Sequence, residues 1–156
     1  MTTPTLPLAA TPVIEFFVAG IPAPQGSKKA MPIRNKKGEL VRINQLESSK
    51  KVGPWRDQVT TASRTAMGSR PPLGGPARAR LEFVLYRPKT TPKSKATPPA
   101  IKYPDVDKLT RAVFDGMGGV VVANDSQIVD VHATKRLAEI GEATGVYVRV
   151  EAVAWC

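Results

Sequence analysis

Cysteine and histidine are almost absent: the chain of 156 residues has one of each, His132 and the terminal Cys156. A structural zinc site needs four nitrogen or sulfur ligands, and a Ser-His-Asp triad or a Cys-His pair needs a histidine beside its nucleophile. All three are effectively excluded by this inventory. A lone cysteine cannot form an intrachain disulfide, which fits a reducing cytoplasm. No run of about 18 apolar residues occurs, so no membrane span is expected. The first residues, MTTPTLPLAATP, lack a basic start followed by an apolar stretch and do not read as a signal peptide.

Acids are also scarce, at 13 against 23 Lys and Arg, for a net charge of +10 and a pI near 10.1. Such a balance favours a polyanionic partner, because each cation that meets a phosphate releases condensed counterions. Nucleic acid and anionic membrane are the candidates, and both a nucleic-acid enzyme and a non-enzymatic binder stay open at this point. A hydrophobic share of 42% supports one packed core, and 15 clustered prolines imply ordered segments separated by loops.

Residues 1–12 read as a flexible tail and 13–156 as a single domain, with no internal repeat. Val13–Ala19 is β-branched and aromatic, a buried strand. Ala30–Ile33 and Leu40–Asn44 can form a hairpin across Asn35 and Gly38. Ser48 or Ser49 can cap a helix running to about Met67, with Val52, Trp55, Val59, Ala62 and Ala66 on one face and Gly68 as its stop. Ala77–Arg87 alternates as a strand. Residues 88–100, PKTTPKSKATPPA, cannot build a core and read as a mobile basic loop. Asp107–Gly116 reads as a short helix, and Asp130–Leu137 and Thr144–Ala154 as the last strands. The fold class is α+β: one small domain with two main helices and a mixed or antiparallel sheet.

The most informative stretch is Tyr103–Asp130, YPDVDKLTRAVFDGMGGVVVANDSQIVD, which holds five of the 13 acids. Asp105 and Asp107 lie two apart after Pro104. If the backbone stays extended there, both carboxylates leave on one side. On the helix, Asp107, Arg111 and Asp115 share one stripe while Leu109, Ala112, Val113 and Gly116 cover the other. Asp125 follows an apolar run, Val120–Ala123, that can bring the chain back to the same place. Phosphodiester hydrolysis needs an activated water, a stabilised leaving oxygen and neutralised phosphate charge, and two Mg²⁺ ions about 4 Å apart can supply all three. Mg²⁺ prefers carboxylate and water ligands, so such a site needs clustered acids and neither His nor Cys.

By spacing alone, ordinary structure explains these acids better than chemistry does. Asp107 is a good helix cap, Asp105 can form an Asx-turn, and Asp125 can cap a loop. An i,i+4 pair with Arg111 accounts for Asp115. His132 reads as a plain strand residue, and Trp55 as core. Lys28, Lys29, Lys36 and Lys37 suit phosphate contact better than a merely solvated face, given the net charge.

The run Pro104-Asp105-Val106-Asp107-Lys108-Leu109-Thr110-Arg111-Ala112-Val113-Phe114-Asp115-Gly116, with Asn124-Asp125-Ser126-Gln127-Ile128-Val129-Asp130 after it, resembles the RusA-type Holliday-junction resolvases of bacteria and their phages. That family's pattern is D-x-D-N-L-x-K-A-x-x-D and then D-D-x-Q-V. The match is tight over about 28 residues and loose over most of the chain, and it reverses the structural reading of the three acids. The resemblance implies a phage or prophage enzyme acting in DNA recombination and repair: a homodimer of mixed α/β fold that nicks two strands of a four-way junction symmetrically. It implies Asp105, Asp107 and Asp125 as catalytic acids and metal ligands, with Mg²⁺ as cofactor and Mn²⁺ as a substitute, and Asp115 as an accessory acid. Two positions depart from the family: Lys108 replaces an Asn, and Arg111 replaces a Lys. Arginine stays protonated and cannot act as a general acid, but at a catalytic position it can hold a phosphate or offset crowded carboxylates. Asn124 replaces the first acid of the later pair.

The chain is therefore read as a metal-dependent endodeoxyribonuclease leaving 5′-phosphate ends. Lys28, Lys29, Lys36, Lys37, Lys89, Lys93, Lys95, Lys102 and Lys108 are its expected DNA contacts. The alternatives are a phage nuclease of broader taste for flaps or forks, and a basic DNA-binding accessory protein without catalysis. Segments 13–19 and 144–154 are apolar enough to serve as a dimer contact.

Overall fold

In Ala77–Leu85 (β4), Ala77, Ala79, Leu81, Phe83 and Leu85 are buried while Arg78 and Arg80 between them face solvent. This alternation makes β4 an interior strand with one face in the core. Antiparallel to it runs Gly145–Ala152 (β6), whose Val146, Val148 and Val150 are buried on the same side. Val13–Ala19 (β1) pairs antiparallel with β6, and Ile128–Leu137 (β5) pairs parallel with β4. The order is β1-β6-β4-β5, so the sheet is mixed, as expected for this α+β chain. Lys28–Arg34 (β2) and Leu40–Glu47 (β3) form a separate antiparallel hairpin.

The computed structural model describes residues 11–26, 28–47 and 50–155, without the side chains of 28–32 and 41–47. Most of the expected tail at 1–12 lies outside the described residues, as do the expected caps Ser48 and Ser49. The first helix spans Val52–Met67 (α1), begins after Lys51 with no side-chain cap, and stops at Gly68, which takes φ +58° and donates to the Arg64 carbonyl at 2.9 Å. The second spans Val106–Met117 (α2). Among the described residues no helix is long and apolar enough to cross a membrane.

Val52, Trp55 and Val59 of α1 and Leu109, Ala112, Val113 and Met117 of α2 are fully buried. Burying side chains of this size stabilises by about 1.5–3 kcal/mol each, before the cost of ordering the chain. The two helices cross where Gly116 meets Val59 and the Arg56 carbonyl. On the opposite face of the sheet, charges pair across strands: Arg149 with Glu15, Arg78 with Asp130 and Glu151, and Arg136 with Glu82, while Arg136 also pairs with Glu142 in the connection after β5.

The strand ends differ slightly from expectation. β4 stops at Leu85 rather than Arg87, because its partners run out there: its pairing with β5 ends at Leu137 and its pairing with β6 at Gly145. The Arg87 guanidinium turns to the following loop, donating to Thr97 Oγ1 and to the carbonyls of Pro92 (3.2 Å) and Lys95 (3.3 Å). β5 starts two residues early, at Ile128, because β4 continues to pair with it down to Ala77.

Candidate active site

The parallel pairing of β4 and β5 requires a crossover, and α2 lies in it. Such a crossover carries α2 over the sheet, and α2 packs on α1, on β5 and on the 3₁₀ turn Asp125–Gln127. The acids expected to act together are distributed over these adjoining pieces. Asp105 is the extended residue just before α2, Asp107 lies in its first turn, and Asp125 opens the 3₁₀ turn. The expectation that Asp107 caps the helix is corrected: Asp105 holds the cap position, because the backbone becomes helical at Val106.

Asp105 does not use its carboxylate to cap. Asp105, Asp107 and Asp125 are all exposed, and among the described residues none of their carboxylates has a hydrogen-bond or ion-pair partner. Every other acid with a described side chain, except Asp57, is partnered. In a chain with ten excess cations, unpaired carboxylates are the exception. Capping and turn formation therefore do not explain these three.

Asp115, expected to pair with Arg111 one turn away, faces Arg56 of α1 instead, at 3.9 Å. The close helix crossing at Gly116 brings Arg56 within reach, and both side chains are partly exposed, so the pair is weak. Arg111 is exposed and, among the described residues, makes no ion pair or hydrogen bond. Its guanidinium is available to an incoming anion.

The turn that holds Asp125 is a capping box. Asn124 Oδ1 accepts from the Ser126 N–H at 2.9 Å, and Gln127 Oε1 accepts from the Asn124 N–H at 2.9 Å. Gln127 Nε2 then donates to the carbonyls of Leu73 (2.8 Å) and Gly75 (2.9 Å), anchoring the turn to the loop before β4. The oxygen of Asn124 is thus engaged in structure.

Three residues near the acids escaped the sequence reading. Lys135 lies on β5 opposite Phe83, on the core side of the sheet, and its Nζ donates to the carbonyls of Lys102 (2.8 Å) and Pro104 (2.9 Å). A signal existed: the inward positions of that strand read Val131, Ala133, Lys135, Leu137, and a lysine in an apolar series needs a partner. Gln25 is buried; its backbone N–H donates to the Lys108 carbonyl at 3.0 Å, and its Oε1 accepts from Arg56 Nη1 at 3.3 Å. Gln25 ties the stem of the β2–β3 hairpin to the first turn of α2, so the hairpin starts beside the acids. No sequence pattern marks Gln25 or Arg56.

Of the expected DNA contacts, Lys36 and Lys37 sit exposed at the hairpin turn, and Lys89, Lys93, Lys95 and Lys102 are exposed along the loop between β4 and α2. Lys108 is half-buried in α2. The side chains of Lys28 and Lys29 lie outside the described residues.

Among the described residues, no three His, Cys, Asp or Glu side chains gather closely enough to cage a metal ion. The expected metal triad is therefore placed on adjoining elements without being closed up. Like charges on exposed side chains repel, and among the described residues no cation pairs with any of the three. The donor set is all oxygen, which suits Mg²⁺, and Mg²⁺ is usually held by only one or two carboxylates plus waters and substrate phosphates. The residues present fit such an ion.

The family model of endodeoxyribonuclease RusA matches residues 23–151 of the chain. No curated protein matches it.

Proposed function

Because the chain belongs to the RusA family of endodeoxyribonucleases, the Holliday-junction resolvases, we propose that it resolves four-way DNA junctions by paired symmetric nicks, with Asp105, Asp107 and Asp125 as the acids of the reaction. The observation that carries this reading is that these three carboxylates, alone with Asp57, have no protein partner among the described residues of a strongly basic chain. Mg²⁺, with Mn²⁺ as a substitute, would be held by these carboxylates and would supply an activated water and charge neutralisation.

The remaining roles fall to the chain's own groups. Lys135 holds the backbone on both sides of Tyr103 and so fixes where Asp105 begins. Arg111, one turn after Asp107, grips a phosphate oxygen without donating its proton. Lys36, Lys37, Lys89, Lys93, Lys95 and Lys102 follow the sugar-phosphate backbone on either side. A four-way junction has approximate two-fold symmetry, and one acid site per chain matches a two-fold homodimer that presents two sites to opposed strands.

A labelled four-way junction, a flap and a linear duplex, incubated side by side with the protein and Mg²⁺, test the reading. Paired nicks confined to the junction support it. Equal cutting of flap and junction would replace it with a broader branched-DNA nuclease, and binding without cutting would leave a DNA-binding accessory protein.

A further inference from the structure

Four large hydrophobic side chains that folding leaves exposed, Ile21, Tyr86, Ile101 and Tyr103, are between 57% and 84% accessible, and all four line one cavity of about 490 Å³. Pro104, the residue before Asp105, also lines it. Concave sites of roughly 300–1,000 Å³ with apolar walls are the usual form of a small-ligand pocket. Exposed apolar groups gathered in one place, rather than scattered singly, mark something that binds. Five of the lining residues are prolines, whose fixed φ stiffens the wall.

Tyr103 is the centre of this arrangement. The Lys135 ammonium bonds the carbonyls of Lys102 and Pro104, the residues on either side of it. The backbone is thus clamped while Tyr103 as a residue stays 72% exposed. A rigidly mounted aromatic face loses little freedom when something stacks on it. Tyr103 and Asp105 are two residues apart, a separation of at most about 7 Å. That is within about two nucleotide steps at 3.4 Å of rise per nucleotide.

The surroundings select the occupant. From Tyr86 to Pro104 the sequence has no acid and five cations: Arg87, Lys89, Lys93, Lys95 and Lys102. Lys102 is the one charged residue that lines the cavity, and a second copy of a chain with net charge +10 would bring like charge against this basic rim. A flat, uncharged aromatic ring attached to a phosphate chain satisfies both wall and rim.

We propose that this cavity receives an unstacked nucleobase from the strand being cut, with Tyr103 as the stacking platform. The proposal rests on the junction-cutting reading above and adds to it a binding site next to the acids. Displacing a base at the branch point, where stacking is already broken, costs less than in continuous duplex. The seated base would hold the neighbouring phosphate against Asp105 and Asp107.

The test is a double-mutant cycle between protein and DNA, read as junction affinity in EDTA so that nothing is cut. Tyr103→Ala should weaken binding by about 5- to 140-fold, the range for loss of one base–aromatic stack, and Tyr103→Phe should bind like wild type. An abasic site, placed in turn at each nucleotide beside the cut, should weaken wild type at one position and leave Tyr103→Ala unaffected there. Ile101→Ser, at the most exposed of the four large hydrophobic wall residues, should also blunt that abasic effect. Wild-type affinity in Tyr103→Ala, or equal abasic penalties in both proteins, would overturn the proposal while leaving junction cutting intact. Conversion of a dimer to a monomer by Tyr103→Ala, with base dependence unchanged, would overturn it in favour of a self-association surface. Failure of wild type to bind any branched DNA would overturn both readings.

Discussion

The Lys135 ammonium donates to the Pro104 carbonyl at 2.9 Å, one residue before Asp105, and to the Lys102 carbonyl at 2.8 Å. A cation on the core side of an edge strand thus sets the approach of the chain to α2. Lys135→Met should reduce the rate of junction cutting on the order of 10- to 100-fold, the scale of a small misplacement of a reacting group. Junction affinity should change far less. The Mg²⁺ concentration needed for half-maximal rate should rise, which loss of fold stability alone would not produce. Single-turnover rates against Mg²⁺ check this, and an unchanged Mg²⁺ profile would remove Lys135 from the site.

Because the three carboxylates have no protein partners among the described residues, Asp105→Asn, Asp107→Asn and Asp125→Asn should each leave thermal stability within about 0.5 kcal/mol of wild type, as for ordinary surface substitutions. Each should abolish most cutting yet keep junction binding, or tighten it, since a negative charge facing phosphates is removed. Melting curves, gel-shift affinity and nicking yield are the readouts. Full cutting by any one variant would remove that acid from the proposed set.

Gly116→Ala should destabilise, although alanine is the better helix former by about 1 kcal/mol. A Cβ there would lie 2.7 Å from Val59 Cγ1, 2.8 Å from Val59 Cβ and 3.0 Å from the Arg56 carbonyl oxygen. Backbone and a β-branched side chain give way poorly, so overpacking of about 1–3 kcal/mol is expected. At about 2–4 °C per kcal/mol for a chain of this size, the melting temperature should fall by roughly 2–12 °C. Val59→Ala combined with Gly116→Ala should lose less than the sum of the two. Additive losses would show that the contact is not the cause.

Hydrogen bonds from Arg136, and one from the Glu139 backbone N–H, hold the Glu142 carboxyl well below the usual carboxylate range, at about 2. A carboxyl whose folded value is depressed contributes stability that is fully present above its unfolded value. That contribution is lost as pH falls toward the folded value. The window therefore runs from about pH 4.5 down to about 2. Glu142→Gln should melt below wild type at pH 7, and the gap should narrow through this window. A gap that stays constant from pH 7 to pH 2.5 would contradict the assignment.

Much of the architecture was legible in local pattern. The two helices and the alternating strand at Ala77 announce themselves because one apolar face repeats at period 2 or 3.6, and Val13–Ala19 by its β-branched and aromatic residues, although as an edge strand it buries only Ile14 and Val18 fully. Leu109, Ala112, Val113 and Gly116 are buried as their spacing implied. The motif residues Asp105, Asp107 and Asp125 stood out because acids are rare in this chain. Element ends were less legible: β5 begins at Ile128 because a neighbouring strand extends that far, which is a pairing between residues about fifty positions apart.

What the chain determined by itself was composition-level and short-range: a scarcity of thiol and imidazole, an excess of cations, motif acids that offer oxygen donors, and helices and strands whose faces follow their periods. The tertiary structure decided everything that depends on residues far apart in sequence. It paired Asp115 with Arg56 rather than Arg111, because α1 and α2 touch at Gly116. It drew Gln25 to the first turn of α2, and it turned Lys135 inward to bond two loop carbonyls some thirty residues back. Among the described residues it also left Asp105, Asp107 and Asp125 without partners, while nearly every other acid found one. Side-chain partners across a fold depend on how elements pack, and packing distances are not encoded in any window shorter than the fold itself.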